Sequence, residues 1–231
     1  GYEKLKDSFR LSNALMSIGN VYAEIKDAKK TNEYYDKAEK LIIAMNDSMQ
    51  LSSIYDSKGI TYDQQEMYDS ALIYLTKAYD ISVLLNDTEY AMNSLSNIGL
   101  TYKHQFKTAE ALKSFDSVKS YFVRTNAPVD RMAALYNNIG ATNAQAGNYI
   151  TALDAFNTSI DYGKKAGSPT IEMENYRNMS DMYGTMKNFE RQAFYLKKYY
   201  NIKDSIFTID SRNQLTQLEA DYQVEKKNKE I

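Results

Sequence analysis

The sequence predicts an all-α fold, a superhelical solenoid of about five helix hairpins closed by a C-terminal capping helix. Three observations carry this expectation. A short anchor, Asn97-Ile98-Gly99, returns as Asn138-Ile139-Gly140 and in weaker form as Ser17-Ile18-Gly19, Ser57-Lys58-Gly59 and Asn178-Met179-Ser180. The anchor positions 19, 59, 99, 140 and 180 are spaced by 40, 40, 41 and 40 residues, the mark of an array of small units leaning on their neighbours. Both prolines and most cap-forming residues also fall at fixed distances from these anchors, so one register governs the chain.

The first element of each repeat opens on a cap. Asp7-Ser8, Asp47-Ser48, Asp87-Thr88 and Ser168 lie at or next to the position twelve residues ahead of an anchor, where a side-chain oxygen can accept the free amides of a first helical turn. Pro128 and Pro169 occupy the same phase; proline costs about 3 kcal/mol inside a helix, so both mark joints. An apolar stripe at helical spacing follows each cap, as in Leu95, Ile98 and Tyr102 or Tyr176, Met179 and Tyr183. These first helices are expected to run about 16 to 18 residues. A polar break comes next, such as Gln64-Gln65-Glu66-Met67 or Gln145-Ala146-Gly147-Asn148. A second amphipathic helix then pairs a small residue with a large one: Ala71 with Leu75, Ala111 with Phe115, Ala152 with Phe156.

These residues resemble the tetratricopeptide repeat family. Repeat three carries its pattern as Leu95, Ile98, Gly99, Tyr102, Ala111 and Phe115, with Val118 in place of the last Ala. Repeat two carries it as Tyr55, Gly59, Tyr62, Ala71, Leu75 and Ala78, whereas Lys58, Thr31, Asn143, Ser180 and Gln192 depart from it. The period near 40 resembles the longer variant of kinesin light chains and bacterial Rap-type regulators. The array is expected over 7–208, with repeats at 7–46, 47–86, 87–127, 128–167 and 168–208. Residues 209–231 are expected to form the capping helix from Asp210, or a coiled-coil linker to a further domain. Its last segment resembles one that in some bacterial regulators leads into a membrane helix.

Composition removes several chemistries. With 28 Lys+Arg against 30 Asp+Glu the formal net charge is −2, which gives no overall basic field for nucleic acid. Cysteine is absent, and with it disulfides, thiolate catalysis and Cys-ligated metal. His104 is the sole histidine, the nine glycines form no phosphate loop, and no run of about 18 apolar residues appears. No enzyme activity, cofactor or metal is therefore expected from this region, and no nucleic-acid or membrane contact.

The 21 tyrosines and ten methionines read first as packing residues. More specific is the residue before the apolar-Gly pair: Ser17, Ser57, Asn97, Asn138 and Asn178, asparagine three times. Asparagine is a mediocre helix former, so helix propensity does not explain this ladder. The family resemblance implies that first helices line a concave groove and that amides at this phase hold the backbone of an extended peptide. Asn97, Asn138 and Asn178, with Asn137, Arg177, Asn20, Gln145 and Asp181 nearby, are the expected ligand-binding residues; bonding between helices is the equal alternative. Arg177 would take a carboxylate.

The expected function is a non-enzymatic protein- or peptide-binding module serving as the sensor or regulatory region of a bacterial signal-transduction protein, a histidine kinase or transcriptional regulator. An extracytoplasmic location is favoured over the cytoplasm. The alternatives are a cytosolic Rap-like regulator responding to a peptide, and a scaffold for complex assembly. A homodimer through Leu215, Leu218 and Tyr222 is a further expectation.

Overall fold

The computed structural model describes the backbone of residues 2–229, and the side chains of residues 7–209 and of Thr216. Among the described residues there are ten α-helices and no strands. They are α1 (Tyr2–Glu24), α2 (Ala28–Met45), α3 (Ser48–Gln64), α4 (Tyr68–Leu84), α5 (Thr88–His104), α6 (Thr108–Thr125), α7 (Val129–Gln145), α8 (Tyr149–Lys165), α9 (Pro169–Thr185) and α10 (Phe189–Lys229).

The chain forms two compact units, Gly1–Asn126 and Ala127–Ile231. In the first, the hairpins α1/α2, α3/α4 and α5/α6 stack in order, with α3 packed on α2 and α5 on α4. In the second, α7/α8 and α9/α10 stack through α8 and α9.

The joints are set by local chemistry. Asp27, Asp47 and Asp87 each accept the backbone amide three residues on, at 3.0 to 3.1 Å. Ser168 precedes Pro169 at the start of α9 without a side-chain cap bond, and Pro128 stands just before α7. Asp7 and Ser8 cap nothing: α1 already begins at Tyr2, so they lie inside it. Among the described residues seven non-glycine residues and two glycines take positive φ, all at joints. At Asn46 the left-handed turn lets the amides of Asn46 and Asp47 reach the carbonyls of Ile43 and Ile42, which satisfies the free end of α2.

Packing follows the anchors. A Cβ on Gly59 would stand 2.5 Å from Leu75, on Gly99 2.7 Å from Phe115 and on Gly140 2.6 Å from Phe156. Each anchor glycine therefore admits one large side chain from the second helix of its own hairpin. Tyr35 plays that part against Gly19. Tyrosines stack across the hairpins as Tyr22 on Tyr34, Tyr62 on Tyr74, Tyr136 on Tyr162 and Tyr183 on Tyr195, at 5.4 to 5.8 Å between ring centres. Lysines lie over several of these rings, an addition that the apolar pattern did not reveal.

Lys58, the departure from the apolar pattern, is only 2% exposed. Its ammonium meets Asp36 at 2.7 Å and Glu39, both on α2. Burial pulls its pKa down, but the hydrogen bonds to Asp36 and Glu39 outweigh that and hold it above the ordinary lysine value.

No break separates a fifth hairpin from a capping helix. The segment expected to start after Asp210 continues α10, a single helix of 41 residues. The side chains of Leu215, Leu218 and Tyr222 lie outside the described residues.

Candidate functional site

Consecutive first helices face one another within each unit, and their seams are polar. Asn97 on α5 donates through Nδ2 to both carboxylate oxygens of Asp56 on α3, at 3.3 and 3.1 Å. Asn178 on α9 donates to Oδ1 of Asn137 on α7 at 2.8 Å. Both pairs are 41 residues apart and join the same two repeat phases, so Asn97 and Asn178, two of the three ladder residues, bond helix to helix. Burial drives the Asp56 carboxyl above the usual range, and the bond from Asn97 restrains it only in part.

One turn further along lies a second set of seams. Between α1 and α3 is a cleft of about 870 Å³, lined by residues that include Asn20, Glu24, Ser57, Thr61 and Gln64. At its floor the buried Tyr35 hydroxyl donates to Asn20 Oδ1 at 2.6 Å and lies 3.5 Å from Thr61 Oγ1. In the other unit a cleft of about 380 Å³ opens between α7 and α9, lined by residues that include Gln145, Tyr149, Asn178, Asp181 and Thr185. Its wall residues sit at the same distances from Gly140 and Ser180 as those of the first cleft from Gly19 and Gly59: Ala141, Ala144 and Gln145 match Asn20, Ala23 and Glu24. The repeat thus builds one kind of cleft in each unit.

Between α3 and α5 the corresponding space is bridged. His104 Nδ1 stands 2.8 Å from Asp63 Oδ2, and Gln105 Nε2 donates to Asp69 at 3.2 Å. Burial lowers the Lys103 ammonium, with Asp63 opposing that shift. The sole histidine is therefore part of a helix-to-helix contact. Among the described residues no three His, Asp or Glu side chains gather to hold a metal.

The expected ligand-binding residues divide accordingly. Asn20, Gln145, Asn178 and Asp181 line the clefts. Asn97 and Asn137 are engaged with neighbouring helices. Asn138 lies half-buried on α7, where its carbonyl accepts Thr142 Oγ1 at 2.7 Å, and Arg177 is exposed on α9. Sequence reasoning passed over Asp56, Tyr35 and Gln64 as site residues, while Ser57 stands at the phase it singled out. The signal for the first was a carboxylate 41 residues before Asn97, one phase off the anchor itself.

No protein-family model matches the sequence. No curated protein matches it either. Solved structures do match in fold. BtubC (BKLC) from P. vanneervenii has a TM-score of 0.71 at 16% identity over 89% of each chain. The Rap conjugation gene regulator of plasmid pLS20, solved in complex with the Phr* peptide, has a TM-score of 0.69 at 17% identity, covering 83% of this chain and 53% of that one. TPR-like repeats of a putative kinesin light chain from Podosopora anserina give 0.67 at 11% identity over 86% and 97%. The chain spans about half the length of the Rap regulator. These similarities show an all-α fold of TPR-like helix hairpins.

Proposed function

We propose that this chain is a non-enzymatic binding module that holds an extended peptide or protein segment along its first helices. The observation that carries the reading is the recurrence of one cleft at one repeat phase in both units, walled by amides and hydroxyls. An amide offers a donor and an acceptor, which suits a peptide bond whatever side chain follows. Asn20, Gln64, Gln145 and Asn178 would read the backbone, Asp181 would favour a basic residue, and Arg177 on the same helix would take a carboxylate. The likeness to a regulator solved with a bound peptide supports this assignment.

In this reading the module is the sensor or regulatory region of a bacterial signal-transduction protein, feeding a kinase or DNA-binding output. A reading frame that continues into such an output domain is the genetic counterpart of the proposal. The binding test is fluorescence polarisation against a library of extended peptides. Gln64→Ala, Gln145→Ala and Asp181→Ala combined should weaken a peptide hit by about tenfold, or roughly 1.4 kcal/mol, with the melting temperature unchanged. Undiminished affinity in that variant would remove the clefts from the site.

A further inference from the structure

The two clefts occupy one repeat phase but differ at the floor. Counted from the anchors at 19, 59, 140 and 180, Asn20, Tyr35 and Thr61 of the α1/α3 cleft correspond to Ala141, Phe156 and Met182 of the α7/α9 cleft. All three are polar in the first cleft and apolar in the second. The fold itself asks for hydrocarbon at the place of Tyr35: Leu75, Phe115 and Phe156 fill it against the anchor glycines of the next three hairpins and are fully buried. A hydroxyl there carries a desolvation cost that packing does not explain.

The Tyr35 hydroxyl, on a side chain only 2% exposed, donates to Asn20 Oδ1 at 2.6 Å and lies 3.5 Å from Thr61 Oγ1, too far for a strong bond. Burial pushes its pKa above the ordinary tyrosine value, so it stays protonated and the floor carries no charge. Thr101 and Thr142 share the phase of Thr61 and donate to their own helices, at the carbonyls of Asn97 and Asn138, whereas the Thr61 hydroxyl lies beside Tyr35. Because Asn20 accepts through Oδ1, its Nδ2 donors and the lone pairs of the Tyr35 oxygen are left for a guest. The charged residues of the lining, Glu24 and Lys26, are exposed and of opposite sign.

We infer that the α1/α3 cleft is a specificity pocket for one side chain of the bound segment, a side chain that ends in a hydroxyl or a carboxamide: tyrosine, glutamine or asparagine. The assignment deepens the peptide-binding proposal and rests on it. A neutral group that donates and accepts satisfies the amide and both hydroxyls of the floor together. A charged tip would lose its hydration with no counter-charge at the floor, and a hydrocarbon would cut the floor's polar groups off from water. The cleft volume of about 870 Å³, against about 380 Å³ between α7 and α9, accommodates a large side chain of this kind.

The test is a positional-scanning library of fluorescein-labelled decapeptides, read by fluorescence polarisation against the intact chain. At one position, pools fixed as tyrosine, glutamine or asparagine should bind about tenfold tighter than pools fixed as phenylalanine, leucine, lysine or glutamate. Exchanging the floor for its counterpart, with Asn20→Ala, Tyr35→Phe and Thr61→Met in one chain, should turn the preference at that position to phenylalanine or leucine. Tyr35→Phe alone removes a single oxygen and should cut the preference for tyrosine over phenylalanine to about threefold, with helix content unchanged by circular dichroism. A floor that only ties α1 to α2 and α3 predicts a lower melting temperature with the parent's preference intact. That result, or a parent preference for a charged or apolar residue in every position, would overturn the inference and leave peptide binding standing. Absence of binding by the parent chain to every pool would overturn the peptide reading, and this inference with it.

Discussion

Replacing Asn97 with alanine separates bonding within the array from contact with a ligand, and the structure fixes the expected size. Asn97 supplies the amide that faces both oxygens of Asp56, at 3.1 and 3.3 Å. These distances are at the long end for a charge-assisted bond, so the loss should be about 1 to 2 kcal/mol, a fall of roughly 2 to 8 °C in melting temperature. The pH dependence makes the prediction specific. Burial already holds the folded-state pKa of Asp56 above its unfolded value, and the bond from Asn97 pulls it back. A carboxyl with a raised folded pKa binds its proton more tightly in the native state, so stability falls as pH rises from the ordinary carboxylate range through that raised value. Removing Asn97 raises the value further, and the alanine variant should lose little at pH 4 and the full amount at pH 7. Asp56→Asn should be nearly neutral at pH 7 and flatten this slope, because Asn137 and Asn178 already form an amide pair at the same place in the other unit. Urea unfolding followed by circular dichroism at the two pH values measures both. An equal loss at pH 4 and pH 7, or none at either, would refute the account of Asn97 as the partner of a buried carboxylate.

Gly99→Ala should destabilise by about 2 to 3 kcal/mol, read from urea midpoints, because the added Cβ would stand 2.7 Å from the fully buried Phe115 ring. Lys58→Met should cost less than half as much as Lys58→Ala, for which about 2 kcal/mol is expected. Methionine fills the volume, whereas alanine leaves a void beside Glu39, and the exposed Asp36 stays hydrated in both. Because the Lys58 pKa is raised in the folded state, its ion-pair stabilisation is complete below the ordinary lysine value and is lost as pH rises through the folded value, a loss that Lys58→Met should abolish in alkaline melts. Phe106→Asn should add about 0.5 kcal/mol, since Phe106 holds a left-handed φ of 60° at an exposed joint, a conformation that Asn46, Asn86 and Asn126 take at three other joints.

The hairpins and their joints were legible because they depend on neighbours in sequence. The anchor glycines announced a close helix contact, and the aspartates announced caps, of which Asp47 and Asp87 form as expected while Asp27 adds one not foreseen. Asp7 failed as a cap because nothing in its vicinity stops the helix before it; α1 runs through it from Tyr2. Lys58 read as a break in an apolar pattern, yet it is buried, because two carboxylates on α2 supply what a hydrophobic contact otherwise would. The asparagine ladder was legible as a ladder but not in its use. A side chain on one face of a first helix can meet solvent, a ligand or the next helix, and only the stacking offset chooses among them.

By itself the sequence determined the all-α hairpin array, its register and its lack of a cysteine, because helix periodicity, caps and close-contact glycines act over one or two turns. The tertiary structure decided which half-buried polar groups meet: Asn97 with Asp56, Asn178 with Asn137, His104 with Asp63 and Lys58 with Asp36. It also decided where space is left, in the clefts between α1 and α3 and between α7 and α9. The physical reason is range. Local propensity fixes each helix, but pairing across helices depends on the small offset between stacked repeats, and an offset of one residue turns a ligand contact into a structural bond.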